Sequence, residues 1–268
     1  MDAGHDERRG EVRPGLLSLL HVVTEAFTDD PALDVAVSRA IMQRVAAGEL
    51  PETLRVARPG AMVAFAKQDA VARGYAAAVR AARGGGFEAV LRLAGGRAAV
   101  FHEETIALAH AVPHPDPRAG IYSRFEWTAA LIARALQRLG VDARVGEVPG
   151  EYCPGGFSVN ARGSVKLAGI GQRVIAGGLH LGGVVVVGDG GRIRDVLVPV
   201  YDALELDWEP VTVGAVEDEV DHTGSSPWTA VRDALIAEYA REYELVEAKL
   251  DSETIELARR LGPEHRPG

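Results

Sequence analysis

The chain contains one cysteine. A lone thiol excludes an internal disulfide framework and a cysteine-based zinc site, so no metal is expected. Long hydrophobic runs are also missing. No segment reaches the apolar length that spans a bilayer, and the charged opening, residues 1–13, lacks the apolar stretch of a secretory leader. A cytoplasmic location without a membrane partner is the expectation. Positive charge is scarce too. The formal net charge is −9, which speaks against a dedicated nucleic-acid binder, whose affinity comes from neutralising phosphates. The deficit is uneven: the middle of the chain is slightly basic and the C-terminal part is acidic.

What is present is an ordinary globular balance, 47% hydrophobic and 25% charged over 268 residues. That is enough for a large core with a pocket in it. Residues 1–15 read as a disordered tail. Residues 30–47 read as a helix, with Pro31 early and Leu33, Val37, Ile41 and Val45 at helical spacing. Short apolar runs at 53–57 and 62–66 flank an Arg-Pro-Gly turn and suggest a hairpin. An Ala-rich helix over 68–83 ends at three glycines.

Strands are predicted at 88–93, 98–102 and 105–112, then an amphipathic helix over 122–139. Further strands follow at 141–145, 157–159, 164–169, 172–175 and 179–187. An Asp-Gly turn occupies 188–191. Residues 193–206 read as helical around a break at Pro199, 227–250 as one long helix, and 252–261 as a shorter one. Strand runs mixed with separated helices point to an α+β fold, with helices packed on mostly antiparallel mixed sheets. The implied division is a body over 30–210 and a helical extension over 211–268.

Three segments stand out chemically. In Arg92-Leu93-Ala94-Gly95-Gly96-Arg97, continuing to His102, paired glycines between strands let backbone approach a ligand closely. In Tyr152-Cys153-Pro154-Gly155-Gly156-Phe157 the only cysteine sits in a flexible loop, where nearby cations would favour its thiolate. In Lys166-Leu167-Ala168-Gly169-Ile170-Gly171-Gln172-Arg173 one of the few lysines opens an apolar strand. Taken singly, these read more simply as a turn, a small buried hydrophobe and a strand-end charge.

Together the three segments resemble the lipoate ligase, biotin ligase and octanoyltransferase superfamily over roughly Leu33 to Pro210. Asp34 and Thr53-Leu54-Arg55 also fit. Within the superfamily the chain looks most like the amidotransferases that take octanoyl from the glycine cleavage H protein. The resemblance implies that Arg92, Gly95, Gly96 and Arg97 line the acyl channel. It also implies that Cys153 forms an acyl thioester and that Lys166 binds the acyl carbonyl and orients the incoming amine. Gly169 and Gln172 would shape the carbonyl end, and His102 matches the family's usual histidine. The implied partners are an acyl-carrying donor protein and lipoyl-domain acceptors, such as 2-oxoacid dehydrogenase E2 subunits and the H protein. Docking is expected near Arg92, Arg97, Arg162 and Arg173.

No cofactor is expected to be required; ATP would enter only if the chain were instead a lipoate–protein ligase. A degenerate, non-catalytic member that binds an acyl group or lipoyl domain is the remaining alternative. The physics is compatible with transfer. A thiolate divides amide formation into two easier steps, and a cation at the carbonyl offsets charge developing on oxygen. An octanoyl chain carries about seven methylene-sized groups at ~0.8 kcal/mol each, so an apolar tunnel holds it with roughly 5–6 kcal/mol and no charged anchor.

Overall fold

A computed structural model of the protein describes residues 17–220 and 226–267. The tail expected at 1–15 lies outside them. The chain opens with β1 (Ser18–Val23), α1 (Pro31–Ala46), β2 (Thr53–Ala57) and β3 (Met62–Phe65). Then come α2 (Lys67–Ala70), α3 (Tyr75–Gly84), β4 (Glu88–Leu91), β5 (Ala99–Phe101) and β6 (Thr105–Pro113). The helix α4 (Ile121–Gln137) leads to β7 (Ala143–Val145), β8 (Val159–Ala161), β9 (Val165–Ile175) and β10 (Gly178–Val186). The last elements are α5 (Gly190–Ala203), α6 (Pro227–Tyr239), β11 (Tyr243–Glu247) and α7 (Ser252–Leu261).

Eight strands form one mixed sheet in the order β11-β1-β2-β6-β10-β9-β8-β7. It is parallel at β11/β1 and β1/β2 and antiparallel elsewhere. A small sheet, β4-β3-β5, stands apart from it. This is the expected α+β architecture. The two faces of the main sheet divide the core. One carries Leu54, Val56, Ile106, Leu108 and Val185 under α4 and α6. The other carries Ala111 against Ala36, Val37, Ala40 and Ile41 of α1. No helix among the described residues is long and apolar enough to cross a membrane.

Several elements depart from the sequence reading, each because tertiary partners outweigh local signals. β2 and β3 are not a hairpin. Every residue in both is buried, and each strand joins a different sheet, with β2 between β1 and β6 and β3 between β4 and β5. The link between them passes close by at Gly60, where a Cβ would stand 2.1 Å from the Thr28 carbonyl oxygen. The helix expected over 68–83 is two helices. Gly74, at the break, lies so near the end of α5 that a Cβ would be 1.6 Å from the Ala203 carbonyl oxygen.

The strands expected at 164–169 and 172–175 are one, because β10 pairs with β9 from Ala168 to Ile175 and its ladder bridges the glycines. Asp189 of the Asp-Gly turn caps α5, accepting the Arg192 amide at 3.3 Å, and the helix runs through Pro199, where a break was expected. The helix expected over 227–250 stops at Tyr239. The chain then turns into β11, whose register on β1 runs from Ser18↔Tyr243 to Val22↔Glu247. β1 itself was not expected. The C-terminal segment thus contributes a strand to the main sheet as well as helices. It is tied back through Arg44, whose guanidinium meets Asp251 at 2.6 Å, Glu253 at 2.7 Å and the Thr254 hydroxyl at 2.8 Å.

Candidate active site

Side chains on a strand alternate between faces, so the face shared by α1 and the small sheet presents Ala107 and Ala109 of β6, Gly182 and Val184 of β10, and Gly169 and Gly171 of β9. These residues are small. The helix and the small sheet therefore cannot close down on them, and a cavity of about 390 Å³ remains. Its other walls come from Met62, Ala64, Ala99, Phe101, the 92–96 loop, and Phe125 and Phe157, which stack in parallel with centroids 5.3 Å apart. The buried ion pair of Asp34 with Arg55 and the imidazole of His180 also border it. Burial, with His110 and Arg55 nearby, lowers the His180 pKa to about 4, so the ring is neutral.

Cys153 lies on the cavity wall in the loop between β7 and β8. Its φ of 44° is left-handed, which costs a non-glycine residue about 1–2 kcal/mol. Contacts on every side maintain it. Its amide donates to the Tyr201 hydroxyl at 2.8 Å, which donates onward to the Ala98 carbonyl at 2.9 Å. Its carbonyl accepts from Lys166 Nζ at 2.8 Å. Its Sγ accepts from the Arg97 backbone N–H at 3.2 Å and from Arg92 Nη2 at 3.4 Å. Burial pushes the thiol up, but the Arg92 and Lys166 charges and the Arg97 N–H outweigh it and hold the pKa below the ordinary thiol value.

Lys166, on β9, is 2% exposed. An ammonium has three N–H donors, and all three are engaged: with Glu151 Oε1 at 3.0 Å, the Tyr152 carbonyl at 3.0 Å and the Cys153 carbonyl at 2.8 Å. The ammonium also lies 4.9 Å from the Tyr152 ring centroid. Glu151 is itself buried and accepts from the Ser158 hydroxyl at 2.5 Å and from the Gly155 and Val148 amides at 3.1 Å. Lys166 and Glu151 therefore staple the cysteine loop at both ends.

The residues singled out from the sequence separate into two groups. Cys153, Lys166, Arg92, Gly95, Gly96, Gly169 and Gln172 all border the cavity. Arg97 does not. Only its amide serves the sulfur, and its guanidinium turns away to the buried carboxylate of Asp69 at 3.3 Å. His102 does not either. It is wholly buried in the turn between β5 and β6, with Nδ1 accepting the Glu104 amide at 3.2 Å.

Gln172 acts through its amide, which donates to the Ile121 carbonyl at 2.8 Å and accepts from Arg124 at 3.0 Å, fixing the start of α4 at the cavity rim. Of the arginines expected for docking, Arg92 is inside the site, Arg97 is paired with Asp69 and Arg162 with Glu219; Arg173 is exposed. Glu151, Ser158, Tyr201 and Asp69 were not foreseen. Tyr201, Asp69 and Glu151 reach the site through Cys153, Arg97 and Lys166, which only the fold brings to them, while Ser158 bonds Glu151 within the cysteine loop. Gly169 and Gly171, two residues apart on β9, were the available signal for the cavity floor.

Residues 30–205 match the lipoyl protein ligase A/B catalytic domain. Curated relatives include an octanoyl-GcvH:protein N-octanoyltransferase of Exiguobacterium sp. AT1b, 32% identical over 143 residues, which are 50% of this chain and 50% of that protein. Another of the same name, from Exiguobacterium sibiricum, is 31% identical over 168 residues, 60% of each chain. The chain thus spans about half the length of the curated relatives it matches. Among solved structures, a bipartite lipoate protein ligase from Thermoplasma acidophilum, described with its E2 lipoyl domain, superposes with a TM-score of 0.71 at 18% identity, covering 93% of both chains. That likeness establishes the fold. With the family match spanning most of the chain, and the cysteine, lysine and Gly-Gly segments meeting at one cavity, the protein belongs to the lipoyl protein ligase A/B catalytic domain family.

Proposed function

We propose that this protein is an acyltransferase that carries an octanoyl or lipoyl group through a Cys153 thioester onto a lysine of a lipoyl-domain protein. The observation that carries the reading is the sulfur itself. The chain's only thiol borders an apolar cavity of acyl-chain size, between a guanidinium and a backbone N–H that favour its ionised form. A ligase that makes an acyl adenylate has no use for such a sulfur. The names of the relatives, and the lipoyl domain described with the Thermoplasma ligase, agree with octanoyl-H protein as donor and lipoyl domains as acceptors.

The chemistry closes without a nucleotide. The Cys153 thiolate attacks the donor's acyl carbon. A carbon–sulfur bond forms, the bond to the donor breaks, and the departing group takes its electron pair and a proton. The acceptor lysine, as free amine, then attacks the thioester. A carbon–nitrogen bond forms, the electron pair returns to sulfur, and the amine's proton leaves. Lys166 serves both halves by holding the Tyr152 and Cys153 carbonyls, which fixes the sulfur's position. Family resemblance alone assigns Lys166 to the acyl carbonyl; in this arrangement its donors are already used.

The test is intact mass after incubation with an octanoylated donor. An octanoyl adduct that hydroxylamine removes, absent from Cys153→Ala, is the expected result. Pyrophosphate release from ATP with free lipoate, and no adduct, would instead make the protein a ligase. Neither product would leave a binding module.

A further inference from the structure

We propose that Arg92 is a catalytic residue: its guanidinium, which touches the sulfur, is the principal cation that holds Cys153 as thiolate, ahead of the Lys166 ammonium. The inference rests on Cys153 being the nucleophile, and it changes which charge activates it. Arg92 touches the reacting atom, with Nη2 3.4 Å from Sγ, and that nitrogen is aimed by a 2.7 Å bond to the Arg97 carbonyl. Gly96 makes the approach feasible. It has a φ of +99°, and a Cβ there would stand 2.4 Å from Arg92 Nη2 and 2.8 Å from Sγ. The second glycine of the pair is therefore the opening through which the guanidinium reaches the sulfur.

Lys166 is placed differently. Its bonds go to the loop carbonyls and to Glu151, and the Glu151 carboxylate sits 3.0 Å from the ammonium. The Lys166 charge still favours the thiolate, but it comes after that of Arg92 and makes no hydrogen bond to the sulfur. Arg92 has no carboxylate partner among the described residues, so its charge acts on the sulfur undiminished. An unneutralised cation within hydrogen-bond reach is the strongest local bias toward a thiolate. The same charge serves the return step. When the acceptor amine displaces the thioester, the electron pair comes back to sulfur beside Arg92, which makes the thiolate a better leaving group.

Because the chain has one cysteine, alkylation by iodoacetamide, followed by intact mass across pH, reads this sulfur alone. The plateau at high pH reports access; the midpoint reports ionisation. Arg92→Gln should lower the pH 7 rate about tenfold or more while keeping the plateau. Arg92→Lys, the gentler variant, should recover part of that loss. Lys166→Met combined with Glu151→Gln, which removes the ion pair as a unit, should move the midpoint less than Arg92→Gln. An unchanged profile in Arg92→Gln, or a Lys166→Met/Glu151→Gln profile displaced as far, overturns the proposal. The octanoyl adduct in the unaltered protein tests the nucleophile separately, so an adduct with an unmoved Arg92→Gln midpoint would sink this inference alone.

Discussion

Substituting Ala109 by leucine should shorten the acyl chain the protein accepts. Ala109 faces the cavity from β6, in register with Arg55 on β2 and Gly182 on β10, which is opposite Gly171 on β9. This row lies two residues beyond Gly169, which abuts Lys166. At ~3.3 Å per residue that is roughly 6–7 Å along the strand, where the distal carbons of an octanoyl chain fall. Leucine adds three carbons pointing into open space rather than into packed core, so overpacking strain is avoided. Each methylene it displaces removes ~0.8 kcal/mol of burial. Loss of three is about 2.4 kcal/mol, or roughly fiftyfold in octanoyl affinity, with butanoyl spared. The assay is acylation of Cys153 from a series of butanoyl, hexanoyl and octanoyl donors, compared by kcat/KM. An unchanged octanoyl-to-butanoyl ratio would show that the chain does not run along this floor, and the tunnel argument would fall.

Other expectations follow from the same geometry. Gly96→Ala places a Cβ against both Arg92 and Cys153 at a left-handed φ, which should cost about 1–3 kcal/mol of stability and slow adduct formation; normal thermal unfolding and a normal acylation rate would contradict it. His180, neutral with a pKa of about 4, takes up its proton more readily in the unfolded chain. Its contribution to stability is whole above about pH 6.5 and declines as pH falls toward 4, by roughly 2–4 kcal/mol. Denaturant titrations from pH 4 to 7 should show that slope, and His180→Asn should remove it.

Much of the secondary structure was legible because it is local. The apolar spacing of α1 and α4, and the β-rich runs of β6 and β10, state their own periods. The misreadings share one cause. Tyr243–Glu247 is compatible with extending α6, and becomes a strand because β1 offers an unpaired edge. Gly169 and Gly171 look like interruptions, and are bridged because β10 supplies the ladder. Arg97 and His102 lie in a segment whose pattern matches a family, but matching pattern does not fix direction. The guanidinium goes to Asp69, whose buried carboxylate needs a cation, and the imidazole turns into a loop interior.

The sequence by itself determined which chemistry is available: one thiol, a lysine thirteen positions later, and glycines where backbone must come close. These are matters of composition and spacing, and they do not depend on the fold. Only the tertiary structure decided what each group acts upon. It spent the donors of Lys166 on loop carbonyls and Glu151, brought Arg92 to the sulfur through the gap at Gly96, and left a cavity above a floor of glycine and alanine. Burial requires every polar group to find a partner, and those partners come from strands and loops far apart along the chain.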